Sequence, residues 1–321
     1  MLMDILLLIV GFVILIKGAD IFVDGASSVA GNFKVPKILI GLTIVAFGTS
    51  APELAVSIKS LLSGNGDIVI GNVMGSNIIN ITLILGASAL FHALRVKSTT
   101  VKKEIPITLL LTVLFAVLLT DSLFDAGVSN AFTRSDGLVI LLFFSVFVYH
   151  LVGLARHQTT NKQEDEQYHS LPKALFFTLL GLLAIIFGSN FVVDSAVSLA
   201  IAFGVSEKLI ALTIIALGTS LPELVTSITA TRKGEYEIAI GNVVGSNIFN
   251  MGIVLGLPVA LFGGITSINF DYIDICVMLL SVILLTIFAA NDRQISKKEG
   301  LVFLTVFTVY YSYILLTGIS F

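Results

Sequence analysis

Two phrases of this sequence occur twice, and in both cases the second copy lies 170 positions after the first. Residues 43–53 read TIVAFGTSAPE, and residues 213–223 read TIIALGTSLPE. Residues 70–80 read IGNVMGSNIIN, and residues 240–250 read IGNVVGSNIFN. The chain is therefore an internal duplication, and its two halves must build similar structures with matching polar residues.

The composition indicates that most of the chain lies in a lipid bilayer. Hydrophobic residues make up 56% of the sequence, charged residues make up 12%, and the mean hydropathy is +1.02. Soluble proteins carry about 25% charged residues. Most apolar runs approach or exceed the roughly 20 residues that a helix needs to cross about 30 Å of hydrocarbon. They are too long for membrane strands and do not alternate, so we expect an all-helical membrane protein.

The apolar runs predict ten membrane helices, five in each half. They lie near residues 4–30, 37–63, 67–93, 104–120, 135–154, 172–201, 208–232, 237–262, 272–290 and 298–317. A polar stretch divides the chain into a first repeat over 1–154, a linker over 155–171 and a second repeat over 172–321. Because five is an odd number, the second repeat must enter the membrane from the opposite face. The two repeats are therefore expected to be inverted.

Lysine and arginine support this count, because they concentrate on one side of the predicted membrane. The loops after odd-numbered helices contain fourteen of these residues, and the loops on the other side contain three. Basic residues are retained in the cytoplasm. We therefore expect a multi-pass protein of the cytoplasmic membrane, with the linker in the cytoplasm and both termini outside. Lys17, Asp20 and Asp24 share a face of the first helix, where we expect them to pair with one another.

Each copy of the first phrase interrupts its helix with a proline and an acid. Pro52 and Pro222 cannot donate a backbone hydrogen bond, so a carbonyl one turn earlier loses its helical partner. Glu53 and Glu223 follow at a depth where an uncompensated charge costs several kcal/mol. In one copy, Ser-x-x-Glu would be explained as a capping box. Two copies in inverted repeats favour a substrate site near the bilayer midplane, as in transporters.

The side chains around these breaks offer only oxygen atoms as ligands. Thr49, Ser50, Thr219 and Ser220 lie beside the prolines. The second phrase adds two pairs four residues apart on one helical face, Ser76 with Asn80 and Ser246 with Asn250. Such donors suit hard cations, and Ca²⁺ takes about 6 to 8 oxygen ligands. One Ca²⁺ would neutralise the two carboxylates, and two or three Na⁺ could also fill the pocket.

The motif Gly-Thr-Ser-x-Pro-Glu, followed by Gly-Asn-x-x-Gly-Ser-Asn-x-x-Asn and duplicated across ten helices, resembles the sodium/calcium exchanger branch of the cation/calcium antiporters. The resemblance implies an all-α integral membrane fold of two inverted five-helix repeats. Helices 2, 3, 7 and 8 would be broken around a midplane ion site, while helices 1 and 6 slide across them.

The resemblance also implies roles for individual residues. Glu53, Glu223, Thr49 and Thr219 would bind both Ca²⁺ and Na⁺, and Asn80 and Asn250 would line the central position. Flanking Na⁺ sites would be formed by Ser50, Ser220, Ser76 and Ser246 with the carbonyls of Ala46 and Ala216. Some members of the family carry Asp where this chain has Asn250, which leaves the stoichiometry open.

The expected function is exchange of Ca²⁺ for Na⁺ by alternating access. Exchange of H⁺ for Ca²⁺ or for another divalent cation is the alternative, because two carboxylates that repel each other also bind protons. A channel or an intramembrane enzyme is less favoured. We expect no cofactor, no nucleic acid and no obligatory protein partner, only the transported ions and membrane lipid.

Overall fold

Helices account for nearly all of the structure, a computed structural model that describes residues 1–124, 129–157, 168–205, 214, 216–266, 268 and 270–317. Each of the ten predicted spans has a helical counterpart in these ranges. We number them α1 to α10, and we divide α2 and α7 at their breaks. The first part of the seventh predicted helix and residues 158–167 of the predicted linker lie outside the described residues.

The helices of the first half are α1 (Leu2–Phe33), α2a (Lys37–Thr49), α2b (Ala51–Leu62), α3 (Gly66–Phe91), α4 (Ile105–Leu119, preceded by a π-helical turn at Thr100–Glu104) and α5 (Arg134–His157). Those of the second half are α6 (Leu171–Ala202), α7a (Ala216–Thr219), α7b (Leu221–Arg232), α8 (Tyr236–Phe262), α9 (Tyr272–Asn291) and α10 (Lys297–Thr317). Apart from the start of the seventh helix, which lies outside the described residues, the observed boundaries lie within a few residues of the predicted ones.

Helices α1 and α6 pack against each other in opposite directions. A Cβ atom added at Gly11, Gly18 or Gly25 would come within 3.0 Å, 2.9 Å and 2.5 Å of backbone nitrogens at residues 192, 185 and 178, respectively. The numbering rises along one helix as it falls along the other. Because these are the first helices of the two halves, the repeats are inverted, as the odd helix number predicted. Glycine allows this close backbone approach.

The loops sort onto two faces as the ten-helix count requires. Strand β1 (Leu94–Arg95), after α3, pairs with β2 (Gln294–Ile295), after α9, in antiparallel register. On the other face, Phe132, after α4, pairs with Ile265, after α8. Loops after odd-numbered helices thus meet each other, and so do loops after even-numbered helices.

Helices α3 and α8 form the centre of the molecule. The most apolar part of each is 78% buried, compared with 28% in α1 and 33% in α6. The predicted breaks in these two helices are wider, π-helical turns. They lie at Asn80–Leu85 and Asn250–Gly256. No proline lies within either turn, so the backbone widens without separating. The backbones approach closely at Gly241 and Gly245, which face Gly41 and Ala46 of α2a.

An ion-pair cluster holds the C-terminal half of α1 to the loop after α7b. Lys233 Nζ lies 2.8 Å from Asp24 Oδ1 and 3.7 Å from Asp20 Oδ1. Lys37 Nζ lies 2.9 Å from Glu235 Oε1, which also accepts a hydrogen bond from Ser27 Oγ. The predicted pairing of Asp20 and Asp24 with Lys17 is therefore wrong in its partner. Spacing along one helix face predicts only local pairs, so it could not predict a pair with Lys233, some 210 positions away.

The glycine contacts of α1 and α6 can be tested by adding a single methyl group. In Gly25→Ala the new Cβ would lie 2.5 Å from the backbone nitrogen of Thr178, so α1 and α6 must separate. Such overpacking costs about 1–3 kcal/mol. We expect the thermal unfolding midpoint of purified protein to fall by several degrees. Gly153→Ala is the matched control, because a Cβ there meets no atom within 4 Å; equal midpoints for both variants would contradict the antiparallel packing.

Candidate functional site

Proline breaks place one glutamate from each half at the start of a half-helix. Helix α2 bends by 45° between α2a and α2b, and Pro52 lies in the first turn of α2b. Pro222 has the same place in α7b. Glu53 and Glu223 follow directly and are 0% and 1% exposed, respectively. Each carboxylate therefore lies in the first turn of a half-helix, at its N-terminal end, which carries the positive partial charge of the helix dipole.

Hydroxyl groups of the first half reach the acid of the second half. Ser50 Oγ donates a hydrogen bond to Glu223 Oε1 at 3.1 Å, across 173 positions of sequence. Thr49 and Ser246 also lie near this carboxylate. Glu53 interacts electrostatically with Glu223, and Thr219 lies beside it. The two breaks therefore face each other and form one pocket.

Several oxygen atoms in this pocket are buried and have no hydrogen-bond partner among the described residues. They are Oε1 and Oε2 of Glu53, Oε2 of Glu223, Oγ of Ser220, and the side-chain carbonyl oxygens of Asn80 and Asn250. Burying a carboxylate without a partner costs several kcal/mol. A set of unpaired oxygens around two acids is therefore complementary to a cation.

Four asparagines of α3 and α8 bond to each other across the two halves. Asn80 Nδ2 donates to Asn247 Oδ1 at 2.9 Å, and Asn250 Nδ2 donates to Asn77 Oδ1 at 3.2 Å. Asn247 Nδ2 donates in turn to the backbone carbonyl of Asn77 at 3.4 Å. These bonds fix which end of each amide faces its neighbour. The carbonyl oxygens of Asn80 and Asn250 are the ends that remain available to a ligand.

The structure brings most of the sequence-predicted residues together. Contacts join Ala46, Thr49, Ser50, Glu223 and Ser246, because Thr49 Oγ1 and Ser246 Oγ lie 3.5 Å apart and both lie within 3.5 Å of the Ala46 carbonyl. Ser76 and Ser220 are buried, at 3% and 1% exposure. Ala216 begins α7a, but its side chain lies outside the described residues.

The residues that hold these side chains in place were not predicted from the sequence. Asn72 Nδ2 donates to the Glu53 carbonyl and to Ser57 Oγ, at 3.1 Å and 3.0 Å. Asn242 Nδ2 donates to the Glu223 carbonyl and to Ser227 Oγ, at 3.3 Å and 2.9 Å. Asn77 and Asn247 were missed as well. All four asparagines belong to the repeated second phrase, which was the available signal.

The donor set determines which ligands fit the pocket. Carboxylate, hydroxyl, amide and backbone carbonyl oxygens are the ligands that Na⁺ and Ca²⁺ take in proteins. The residues come from both halves and lie around the proline breaks, where inverted-repeat transporters bind substrate. The arrangement suits a hard cation that is taken up into a buried pocket.

Comparison with known proteins agrees with this chemistry. The family described as sodium/calcium exchanger protein matches residues 3–153 and 173–316. The sodium/calcium exchanger MaX1 of Methanosarcina acetivorans is 33% identical over 95% of this chain and 96% of its own length. The inner membrane protein YrbG of Escherichia coli is 41% identical over 82% of each chain.

A solved structure has the same fold along almost the whole chain. The sodium-calcium exchanger NCX_Mj, soaked with 10 mM Na⁺ and zero Ca²⁺, superimposes with a TM-score of 0.83 and 30% identity, covering 98% of each chain. Both the duplicated motifs and the inverted ten-helix fold thus agree with the family match. The chain belongs to the sodium/calcium exchanger family and is a multi-pass membrane antiporter that exchanges Ca²⁺ for another cation.

Proposed function

We propose that this protein couples the movement of Ca²⁺ to Na⁺, exchanging the two ions across the cytoplasmic membrane by alternating access. The observation that carries this proposal is a pair of buried glutamates, one from each inverted repeat, with three carboxylate oxygens that accept no hydrogen bond from the described residues. Solved structures of the relative NCX_Mj come from crystals soaked with Na⁺ and with Ca²⁺ or Sr²⁺.

The proposed ligands divide into a shared centre and two flanks. Glu53, Glu223, Thr49 and Thr219 hold either ion, and the amide oxygens of Asn80 and Asn250 complete the centre. Ser50 and Ser246 on one flank, with the Ala46 carbonyl, suit Na⁺. Ser76 and Ser220 with the Ala216 carbonyl hold the matching position on the other flank.

Charge balance makes the two ions alternatives to each other. Two carboxylates carry a charge of −2, which one Ca²⁺ neutralises at the centre. Two Na⁺ ions reach the same balance when they spread over the flanks. Full occupancy by both kinds of ion would place an excess of positive charge in a pocket of low dielectric constant. Exclusive occupancy is what an exchanger requires.

The arrangement of α1 and α6 suits a sliding motion. Their shared glycine interface is close, while large parts of both helices face lipid. In the proposed orientation the termini are outside, and the linker over 155–171 joins the repeats 1–154 and 172–321 in the cytoplasm. The ion pairs of Lys233 and Lys37 would then close the cytoplasmic end.

Proton coupling is a second candidate, and the same unpaired carboxylate oxygens favour it. A proton on either glutamate would relieve the repulsion that a cation otherwise relieves. The two readings therefore differ in which gradient drives Ca²⁺, and a flux measurement separates them.

Cation binding should stabilise the protein through the two acids. With Ca²⁺ at 100 times its Kd, we expect a gain of about 2.7 kcal/mol in unfolding free energy, measured as a rise in thermal midpoint. In the Glu53→Gln/Glu223→Gln double variant we expect no such rise. Without cations this variant should melt above the wild type, because the repulsion of two buried charges is gone.

The matched control for this measurement is Glu104→Gln. Glu104 is also 0% exposed, but it bonds to His150 Nε2 at 2.6 Å, away from the pocket. We expect this variant to keep the full Ca²⁺-dependent rise, whatever its own midpoint. A rise that persists in the double variant would place the cation somewhere other than between Glu53 and Glu223.

Transport itself is tested by ⁴⁵Ca²⁺ uptake into proteoliposomes loaded with Na⁺ and diluted into Na⁺-free buffer. We expect uptake that depends on the outward Na⁺ gradient. It should fall by about two orders of magnitude or more in Glu53→Gln and in Glu223→Gln, because each loses a buried charge that pairs with the ion. Vesicles loaded with K⁺ and vesicles under a pH jump are the controls. Uptake driven by the pH jump alone would assign the protein to H⁺/Ca²⁺ exchange.

A further inference from the structure

Asn242 connects the acid of one half to a hydroxyl of the other without being one of the proposed ligands. It lies on α8 and is 0% exposed. Its Nδ2 donates to the Glu223 carbonyl and to Ser227 Oγ. Its Oδ1 accepts a hydrogen bond from Thr49 Oγ1 at 3.0 Å, across 193 positions. One amide therefore joins both halves of the pocket.

The orientation of this amide follows from the chemistry of its neighbours. The backbone carbonyl of Glu223 can only accept a hydrogen bond, so the NH₂ group of Asn242 must face it. The carbonyl end then faces Thr49, and it can only accept. A hydroxyl opposite a carbonyl oxygen at 3.0 Å must donate. Thr49 Oγ1 lies closer to this acceptor than to the Ala46 carbonyl, at 3.0 Å compared with 3.3 Å, so the hydroxyl proton is directed to Asn242.

If Thr49 donated its proton to the Ala46 carbonyl instead of to Asn242, fewer lone pairs would remain for a cation. The Ala46 carbonyl lies 3.3 Å from Thr49 Oγ1 and already accepts the Ser50 backbone N–H at 3.0 Å. Ser246 Oγ lies 3.5 Å from the same oxygen, beyond the usual distance of about 2.5–3.0 Å for a hydrogen bond between a hydroxyl and an oxygen. Elsewhere in the described chain, helical hydroxyl groups also donate to the carbonyl three residues earlier, as Ser281 does at 2.7 Å. If Thr49 likewise bonded to its helix carbonyl, Ala46 would have no lone pair left for a cation.

We propose that Asn242 is a positioning residue that takes the hydroxyl proton of Thr49, so that the oxygens of Thr49 and Ala46 keep lone pairs for the transported Na⁺. This inference rests on the proposed function and adds a residue to it. Asn72 has the same donor contacts in the other half, to the Glu53 carbonyl and Ser57. The donor contacts of this asparagine are therefore common to both repeats.

The effect is expected to differ between the two ions. Ca²⁺ binds mainly to the charged carboxylates, whereas a Na⁺ on the flank relies on neutral hydroxyl and carbonyl oxygens. Loss of the Asn242 acceptor lets Thr49 turn its proton toward Ala46. The affinity for Na⁺ should then fall more than the affinity for Ca²⁺, a difference that a merely structural role would not produce.

The test is the half-saturating concentration of each ion in proteoliposomes that contain Asn242→Leu, a substitution of similar volume without an acceptor. We expect the value for Na⁺ to rise about tenfold, which corresponds to one buried hydrogen bond. The value for Ca²⁺ should change by less than about threefold. Equal changes for both ions, or no change, would overturn the proposal.

A double-mutant cycle identifies the partner through which Asn242 acts. In a Thr49→Val background the hydroxyl is absent, so adding Asn242→Leu should change the Na⁺ value by less than about twofold. Additive effects would overturn the proposal. Asn242→Ala removes the same acceptor without adding bulk and serves if Asn242→Leu does not fold. It should also raise the Na⁺ value by a larger factor than the Ca²⁺ value, and equal changes would count against the proposal.

Ca²⁺/Ca²⁺ exchange by the wild type, measured without Na⁺, distinguishes failure of the proposed role of Asn242 from failure of the proposed function. Exchange by the wild type together with equal effects of Asn242→Leu on both ions would reject only the role of Asn242. Absence of any Ca²⁺ flux in the wild type would reject the proposed function.

Discussion

Two carboxylates buried at the depth of the hydrocarbon are the constraint on which the rest of this structure depends. Glu53 and Glu223 are almost completely inaccessible, and an isolated charge in that medium costs several kcal/mol. The proline breaks offset part of this cost. Each acid follows a proline in the first turn of a half-helix, and the N-terminal end of that half-helix carries a positive partial charge. Ser50 supplies one hydrogen bond to Glu223. The carboxylate oxygens that remain unpaired need a cation to offset the rest of the cost of burial.

Inverted duplication allows one sequence motif to build both walls of the pocket. A single repeat provides one acid, too little charge to neutralise a divalent cation. The contacts that complete the pocket all cross between the halves: Ser50 to Glu223, Thr49 to Asn242, and Asn80 to Asn247. The pocket therefore exists only when the two repeats are assembled, and the close packing of α1 on α6 has the same pseudo-twofold relation.

The sequence predicted the features that depend on local chemistry. Apolar runs predicted the helices, and the repeated Pro-Glu steps predicted the acids. Proline breaks the helix at its own position, and a buried charge raises the free energy at its own position, so both effects can be read from the local sequence. The supporting asparagines were missed because their partners lie as far as 193 positions away. The same reason explains why Asp24 was assigned to Lys17 when it pairs with Lys233. The π-helical turns of α3 and α8 lie in the buried centre, and no local residue pattern predicted their form.

The two halves differ in the ion pairs that lie outside the pocket. Lys233 and Glu235 bind the end of α1 through Asp24 and Ser27, whereas the equivalent positions of the first half are Ser63 and Asn65. These side chains cannot form the same ion pairs with Asp194, the counterpart of Asp24. Partly exposed ion pairs contribute about 0–1 kcal/mol each, and two of them change a two-state population several-fold. The ligands are therefore nearly equivalent in the two halves, while Ser63 and Asn65 cannot reproduce the contacts that Lys233 and Glu235 make with the end of α1.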